Sequence, residues 1–257
     1  MINLNNIIQQ YPPKLHNFPK AILREYLQYK ILASIFSSPL SKKLCFIWWT
    51  ALRIWHNSQR FSEDIDFDNR WLTVEEFEKL TKVVEQELLL EWYEVEIKHV
   101  YKWAFHCSIK IPKLLFDNNL ASMVTEKLVI KIDTTPQWYN YSHDTFVLQK
   151  FGIVAPYKMV PKDILLSMKF SAFFSRAKWR DLFDIVYLLW MWVKPNWWFC
   201  KHSFGIDNWK SLKIAIKKRL NELDLIALQK DVQPFLFDSN DKSVELFDKI
   251  IEQTDFK

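Results

Sequence analysis

The sequence predicts an α/β (α+β) fold, a mixed sheet flanked by helices with a C-terminal helical region. Two features of the hydrophobic spacing predict it. Up to about residue 150 the pattern runs helix, strand, helix, strand, helix and then several strands, the order of a mixed core. Beyond about residue 158 only helical spacing remains. The chain is therefore expected to divide into a core with an N-terminal helix, residues 1–155, and a helical region, 156–257, packed on it. With 257 residues, 49% of them hydrophobic, there is enough apolar material for both parts.

Residues 1–41 read as helical, with Pro12 and Pro13 breaking the start and AILREYLQYKILASIF placing apolar residues at helical spacing. KLCFI (43–47) reads as a short buried strand and ALRIWHNS (51–58) as a helix. Asp64–Asp68 alternates as a second strand, with Ile65 and Phe67 on one face. Over 73–91 a helix is expected, its start marked by Thr73 and Glu76 in capping-box spacing. YEVEIKHVY, AFHCSIKI and KLVIKID (127–133) read as strands. After Pro161 a helical pattern runs to Val193, and Leu212–Leu228 is a further amphipathic stretch.

Charged residues make up 25%, the ordinary globular share, which argues against a disordered chain. A net charge of +5 is compatible with an anionic partner, and equally with a slightly basic soluble protein. Cys45, Cys107 and Cys200 are odd in number, widely spaced and without a CxxC, which argues against a disulfide framework or zinc site and for a reducing compartment. MINLNNIIQQYPPK shows no basic stretch leading into an apolar one. The longest apolar run, Leu182–Val193, is interrupted by Asp184 and falls short of the ~20 residues a membrane crossing needs. A cytoplasmic protein with no membrane partner is expected. Glycine occurs only 2 times and tryptophan 13 times, although turns with φ > 0 ordinarily require glycine.

Asp64 and Asp66 lie one residue apart on a predicted strand and so share a face. Two carboxylates so close repel unless a cation lies between them. Hard oxygen ligands suit Mg²⁺, which also ligates substrate phosphates. Asp133, ending another predicted strand, supplies a third carboxylate for a two-metal phosphoryl-transfer site. Taken alone, Asp-x-Asp more often marks a solvated acidic strand end.

The segment upstream changes that balance. In FIWWTALRIWHNSQRFSEDIDFD a strand enters a turn, then a helix, then the carboxylate strand. This resembles the nucleotidyltransferase superfamily of DNA polymerase beta type, and more closely the AbiEii/AbiGii family of nucleotidyltransferase-like toxins of bacterial abortive-infection systems. The family's Gly-Gly-Thr-Ala-Leu-Arg-Leu, followed by Arg-hydrophobic-Ser-x-Asp-hydrophobic-Asp, is matched by Thr50, Ala51, Leu52, Arg53, Arg60, Ser62, Asp64 and Asp66. A helix with Lys and then Arg-x-Lys-x-Arg-Asp-Leu-aromatic-Asp is matched by Lys169, Arg176, Lys178, Arg180, Asp181, Phe183 and Asp184. Asp133 falls where the family's third acidic strand lies.

The resemblance implies a nucleotidyltransferase core that moves a nucleoside monophosphate from an NTP to an acceptor. It implies Mg²⁺ held by Asp64, Asp66 and Asp133, with Lys169 neutralising phosphate charge and Asp184 near the same site. Trp48, Trp49 and Thr50 would line the phosphate turn, with Ser62, Arg180 and Asp181 as nucleotide contacts. The implied acceptor is RNA such as tRNA, and the implied role a growth-halting toxin with a cognate antitoxin. Plainer readings stand beside these. Ser62 could initiate a turn, and Arg180 and Asp184 are spaced for an i,i+4 ion pair. Lys169 could be a surface lysine. Arg53 and Arg60 could bind phosphate or brace the turn against Asp68. His56 and His106 lack metal-ligand spacing and read as core or surface histidines. An inactive binding protein on the same fold, and a metal-dependent nuclease using the same carboxylates, remain open.

This sequence departs from the family at Trp48-Trp49, where the family has Gly-Gly. Trp55, Trp71, Trp92, Trp103 and Trp179 also stand where glycine is expected. A gene in which UGA encodes glycine, read here as tryptophan, predicts both the glycine deficit and the tryptophan excess, with a few tryptophans genuine. The cluster Trp190, Trp192, Trp197 and Trp198 then carries no functional weight.

Overall fold

The computed structural model describes residues 3–56, 58–137, 139–238 and 240–256; Asn57, inside the helix expected over 51–58, lies outside them. The chain forms two compact units, residues 1–57 with 61–159, and residues 58–60 with 160–257.

In the first unit α1 (Leu4–Ile8) and α2 (Pro19–Ser37) precede β1 (Leu44–Ile47), α3 (Trp48–His56), β2 (Asp64–Asn69) and α4 (Val74–Leu90). They are followed by β3 (Glu96–Tyr101), β4 (Phe105–Ile111), α5 (Leu114–Asp117), β5 (Leu128–Thr135), β6 (Asp144–Lys150) and β7 (Ile153–Met159). The strands form one 7-stranded mixed sheet in the order β3-β4-β5-β2-β1-β7-β6. β2–β5 and β1–β7 are parallel and the other pairs antiparallel.

Period-two patterning gives this sheet two unlike faces. Phe46, Ile65, Phe67, Cys107, Ile109, Ile130 and Ile132 are fully or almost fully buried on one of them, where α2 and α4 pack. Each such side chain contributes about 1.5–3 kcal/mol by leaving water. On the other face, Asp64, Asp66 and Asp133 of β2 and β5 are only half-buried. The capping box of α4 forms as its spacing predicts: Thr73 Oγ1 accepts from the Glu76 N–H, and Glu76 accepts from the Thr73 N–H.

The β6–β7 hairpin was not among the expected strands. Its loop is Phe151-Gly152, both left-handed at φ 55° and 76°, as a two-residue type I′ turn requires. One of the chain's 2 glycines sits there, so an X-Gly pair between two alternating stretches was the available signal.

The second unit contains α6 (Lys162–Ser175), α7 (Trp179–Trp190), α8 (Trp197–Phe204), α9 (Trp209–Leu220), α10 (Leu225–Val232) and α11 (Phe247–Gln253). The helical pattern over 161–193 is broken between α6 and α7, where Ala177 turns left-handed at φ 45°. The stretch Leu212–Leu228 is likewise divided. Asp224 accepts from the N–H groups of Ile226 and Ala227 and starts α10 afresh.

Among the described residues, four tryptophans hold backbone conformations that Cβ-bearing residues resist: Trp48 (φ 61°), Trp71 (φ 130°), Trp92 (φ 68°) and Trp192 (φ 57°). Trp92 donates its N–H to Leu89 O at 3.0 Å, and Tyr93 donates to Leu88 O at 3.1 Å. Trp192 to Leu189 O (2.9 Å) and Val193 to Leu188 O (3.2 Å) repeat the pattern after α7. Both are Schellman motifs with tryptophan at the C′ position that glycine ordinarily fills. The indoles of Trp92 and Trp192 are 85% and 77% exposed, so packing does not account for them. Trp49, Trp55, Trp103 and Trp179 lie outside the left-handed region. Trp179 stacks on Phe235, and Trp209 is buried with its Nε1–H donated to Thr254 O at 2.9 Å.

Candidate active site

The register of β2 and β5 sets Asp66 directly opposite Asp133, with Lys131 opposite Asp64. Across the next ladder His106 of β4 stands opposite Asp133. Asp66, Asp133 and His106 thus form one cross-strand row, with Asp64 two residues along the strand on the same face. The His106 ring is bonded through Nδ1 to Asp133 Oδ1 at 2.8 Å. Its spacing gave no sign of this, because the partner is 27 residues away and is met only through strand pairing.

β1 ends at Ile47, opposite Asp66, and α3 starts at the next residue. The N–H groups of a helix's first turn lack intrahelical partners and favour an anion. Thr50 is fully buried in that turn; its Oγ1 lies 2.6 Å from Ser62 Oγ and donates to the Asp64 carbonyl. Gln28 Nε2 holds the Ser62 carbonyl from α2 at 3.2 Å. Thr50 and Ser62 therefore tie the turn to the start of the carboxylate strand. Trp49 is buried here and Trp48 half-buried.

Among the described residues no ion pair joins Arg53 to Asp68, and Arg53 pairs with Glu25. Its Nε donates to Glu25 Oε2 at 2.7 Å and its Nη2 to Glu25 Oε1 at 3.2 Å, which fastens α3 to α2. Glu25 is buried and also accepts from Tyr11 Oη (2.8 Å) and Lys150 Nζ (3.3 Å). Burial alone would raise its pKa; the charges of Arg53 and Lys150 outweigh that and hold it below the ordinary glutamate value. Asp68 instead accepts from the Gln137 N–H at 2.9 Å and from Tyr141 Oη at 2.5 Å.

In the second unit Lys169, Asp181 and Asp184 are buried together. Lys169 pairs with Asp184 and lies 3.6 Å from Asp181, so it is not a surface lysine. Asp181 is held by Arg176 through two bonds of 2.9 Å. Asp184, on the apolar side of α7, also meets Arg60 at 3.4 Å, which supplies the partners its place requires. Burial pushes its carboxyl above the usual aspartate range. Burial raises Asp181 too, but the Arg176 bonds and the Lys169 and Arg176 charges outweigh it and leave that group lowered. Among the described residues no ion pair joins Arg180 to Asp184, and Arg180 is half-exposed.

Asp64, Asp66 and Asp133 offer hard oxygens on one face, which fits Mg²⁺ in chemical type. Among the described residues, however, no three His, Cys, Asp or Glu side chains are arranged as a ready cage for a metal ion. No described helix is long and apolar enough to cross a membrane.

The chain resembles two solved structures in fold. JHP933 from Helicobacter pylori is 18% identical over 90% of each chain, with a TM-score of 0.57. A proposed nucleotidyltransferase from H. pylori is also 18% identical, covering 92% of this chain and 98% of its own, with a TM-score of 0.53. No curated protein matches. The family model for the nucleotidyl transferase AbiEii toxin of type IV toxin–antitoxin systems matches residues 30–253, which takes in both the carboxylate strands and the Lys169–Asp184 block. The chain belongs to the AbiEii nucleotidyl transferase toxin family.

Proposed function

We propose that the protein transfers a nucleoside monophosphate from an NTP to an RNA hydroxyl, and acts in the cytoplasm as the toxin of a pair whose antitoxin restrains it. The observation that carries this reading is the row Asp66–Asp133 beside Asp64, one strand from the start of α3. Mg²⁺ commonly rests on one or two carboxylates together with substrate phosphates, so Asp64 and Asp66 suffice without a three-residue cage. The bound ion would supply charge neutralisation on the triphosphate. The first turn of α3 would receive the phosphate tail. Asp133 would accept the proton of the attacking hydroxyl, and His106 would orient it through Nδ1–H.

The buried Lys169–Asp184 pair supports another role for those two residues. An ammonium 3% exposed and sealed by carboxylates joins α6 to α7 and would not reach a phosphate without breaking its pairs. Arg180, half-exposed, is the residue of that block left open to an anion.

Glycine at position 48 completes the reading. A left-handed backbone at the head of α3 suits glycine, and its absence of Cβ lets N–H groups approach phosphate. Glycine at 49 rests on the family's Gly-Gly alone. The buried Trp49 favours the second reading, an inactive binding protein, for the chain with tryptophan in place. Mg-NTP titration separates the two. The W48G/W49G chain is expected to bind and the tryptophan chain to bind poorly, whereas equal binding overturns the phosphate-turn argument. UGG codons at both positions in the gene would dismiss recoding.

A further inference from the structure

We infer that the open face of strands β3, β4 and β5 is the track on which the acceptor's phosphodiester backbone lies. The inference rests on the nucleotidyltransferase reading and adds where the acceptor runs. The strand register sets Lys98, Ser108, Lys131 and Asp64 in one cross-strand row, leading from the edge strand to the carboxylates. Lys110 lies one pleat away on the same face, beside Glu96 and Val129. At about 4.8 Å per strand, Lys98 and Lys131 stand about 10 Å apart. Lys98 and Lys131 are exposed and Lys110 half-exposed.

The charges on this face are arranged for an anion. None of the three lysines has an ion pair among the described residues. Glu96, at the far end of the face, is neutralised by Lys127 at 2.6 Å. Outside the carboxylate row the face is therefore net positive. A sheet face with lysines at these intervals matches a flexible polyanion threaded across strands. A nucleic-acid strand is favoured over an acidic protein because the row ends at the carboxylates, where a strand terminus could present its hydroxyl.

The test is binding of a labelled single-stranded oligoribonucleotide, without NTP, across a range of salt concentrations. Each phosphate contact adds about 0.7 to the slope of log K against log salt for single strands. K98A/K110A is expected to flatten the slope by about 1.4 and to weaken binding for every RNA sequence tried, with Mg-NTP affinity and thermal unfolding unchanged. K131A is expected to flatten it by about 0.7. An unchanged slope overturns the inference, as does intact RNA binding with loss of an acidic protein partner. If the W48G/W49G chain binds RNA through this face but transfers no nucleotide, the transferase reading fails and the track stands. If it transfers nucleotide while the lysine variants keep the parental slope, the track alone fails.

Discussion

Replacing Trp92 and Trp192 by glycine should stabilise the protein, the reverse of what removing a large aromatic residue ordinarily does. Both hold φ near 60° at the C′ position of a Schellman motif. A Cβ in the left-handed region costs about 1–2 kcal/mol. Glycine gives back about 0.4–1 kcal/mol through the greater freedom of the unfolded chain. Because the indoles are 85% and 77% exposed, little burial is lost. The net gain is about 0.5–1 kcal/mol per site, or a few degrees in Tm for a chain of this size. The assay is urea unfolding of W92G, W192G and the double variant, followed by two spectroscopic probes because the chain has two compact units. W209G is the internal contrast. Its indole is buried and hydrogen-bonded to Thr254, so the loss should reach about 3–5 kcal/mol. If W92G and W192G lose 1 kcal/mol or more (~1 or above), the assignment of these positions to glycine is wrong.

E25Q should cost about 3–5 kcal/mol at neutral pH by leaving Arg53 buried without its charge partner. Glu25 titrates below its ordinary 4.5 in the fold, so its contribution is complete above that pH and is lost as the pH falls through the folded value; chemical denaturation at descending pH should show the E25Q deficit shrinking. H106A should lower the transfer rate at saturating Mg²⁺ by up to about 100-fold, because the proton acceptor Asp133 loses the ring that orients it. H106N, whose amide can donate from the Nδ1 position, should recover most of that, and equal damage in both variants would mark His106 as structural.

The alternation of DIDFDN and LVIKIDTT was enough to read two strands with their carboxylates on one face, because period two needs no knowledge of the partner strand. What no spacing could give was the pairing itself. The register Asp66–Asp133–His106 joins residues 27 or more apart, so His106 read as an ordinary histidine. The same holds for Glu25, whose role depends on Arg53 arriving 28 residues later. Local breaks were missed for another reason. Ala177 turns left-handed without being glycine, so the continuous apolar pattern of 161–193 concealed the end of α6. The tryptophan anomaly was legible in composition, whereas the backbone conformation at each position was not. Positions 48, 71, 92 and 192 ask for glycine, whereas Trp179 and Trp209 are held by packing.

The central claim is that Asp64 and Asp66 support transfer of a nucleotide onto RNA. The most direct measurement is the length of an end-labelled tRNA pool after incubation with the W48G/W49G protein, Mg²⁺ and each NTP in turn. The account predicts RNA lengthened by added nucleotide with the parent, and unchanged RNA with D64N or D66N at undiminished thermal stability. Shortened RNA, or lengthening that survives both substitutions, would contradict it.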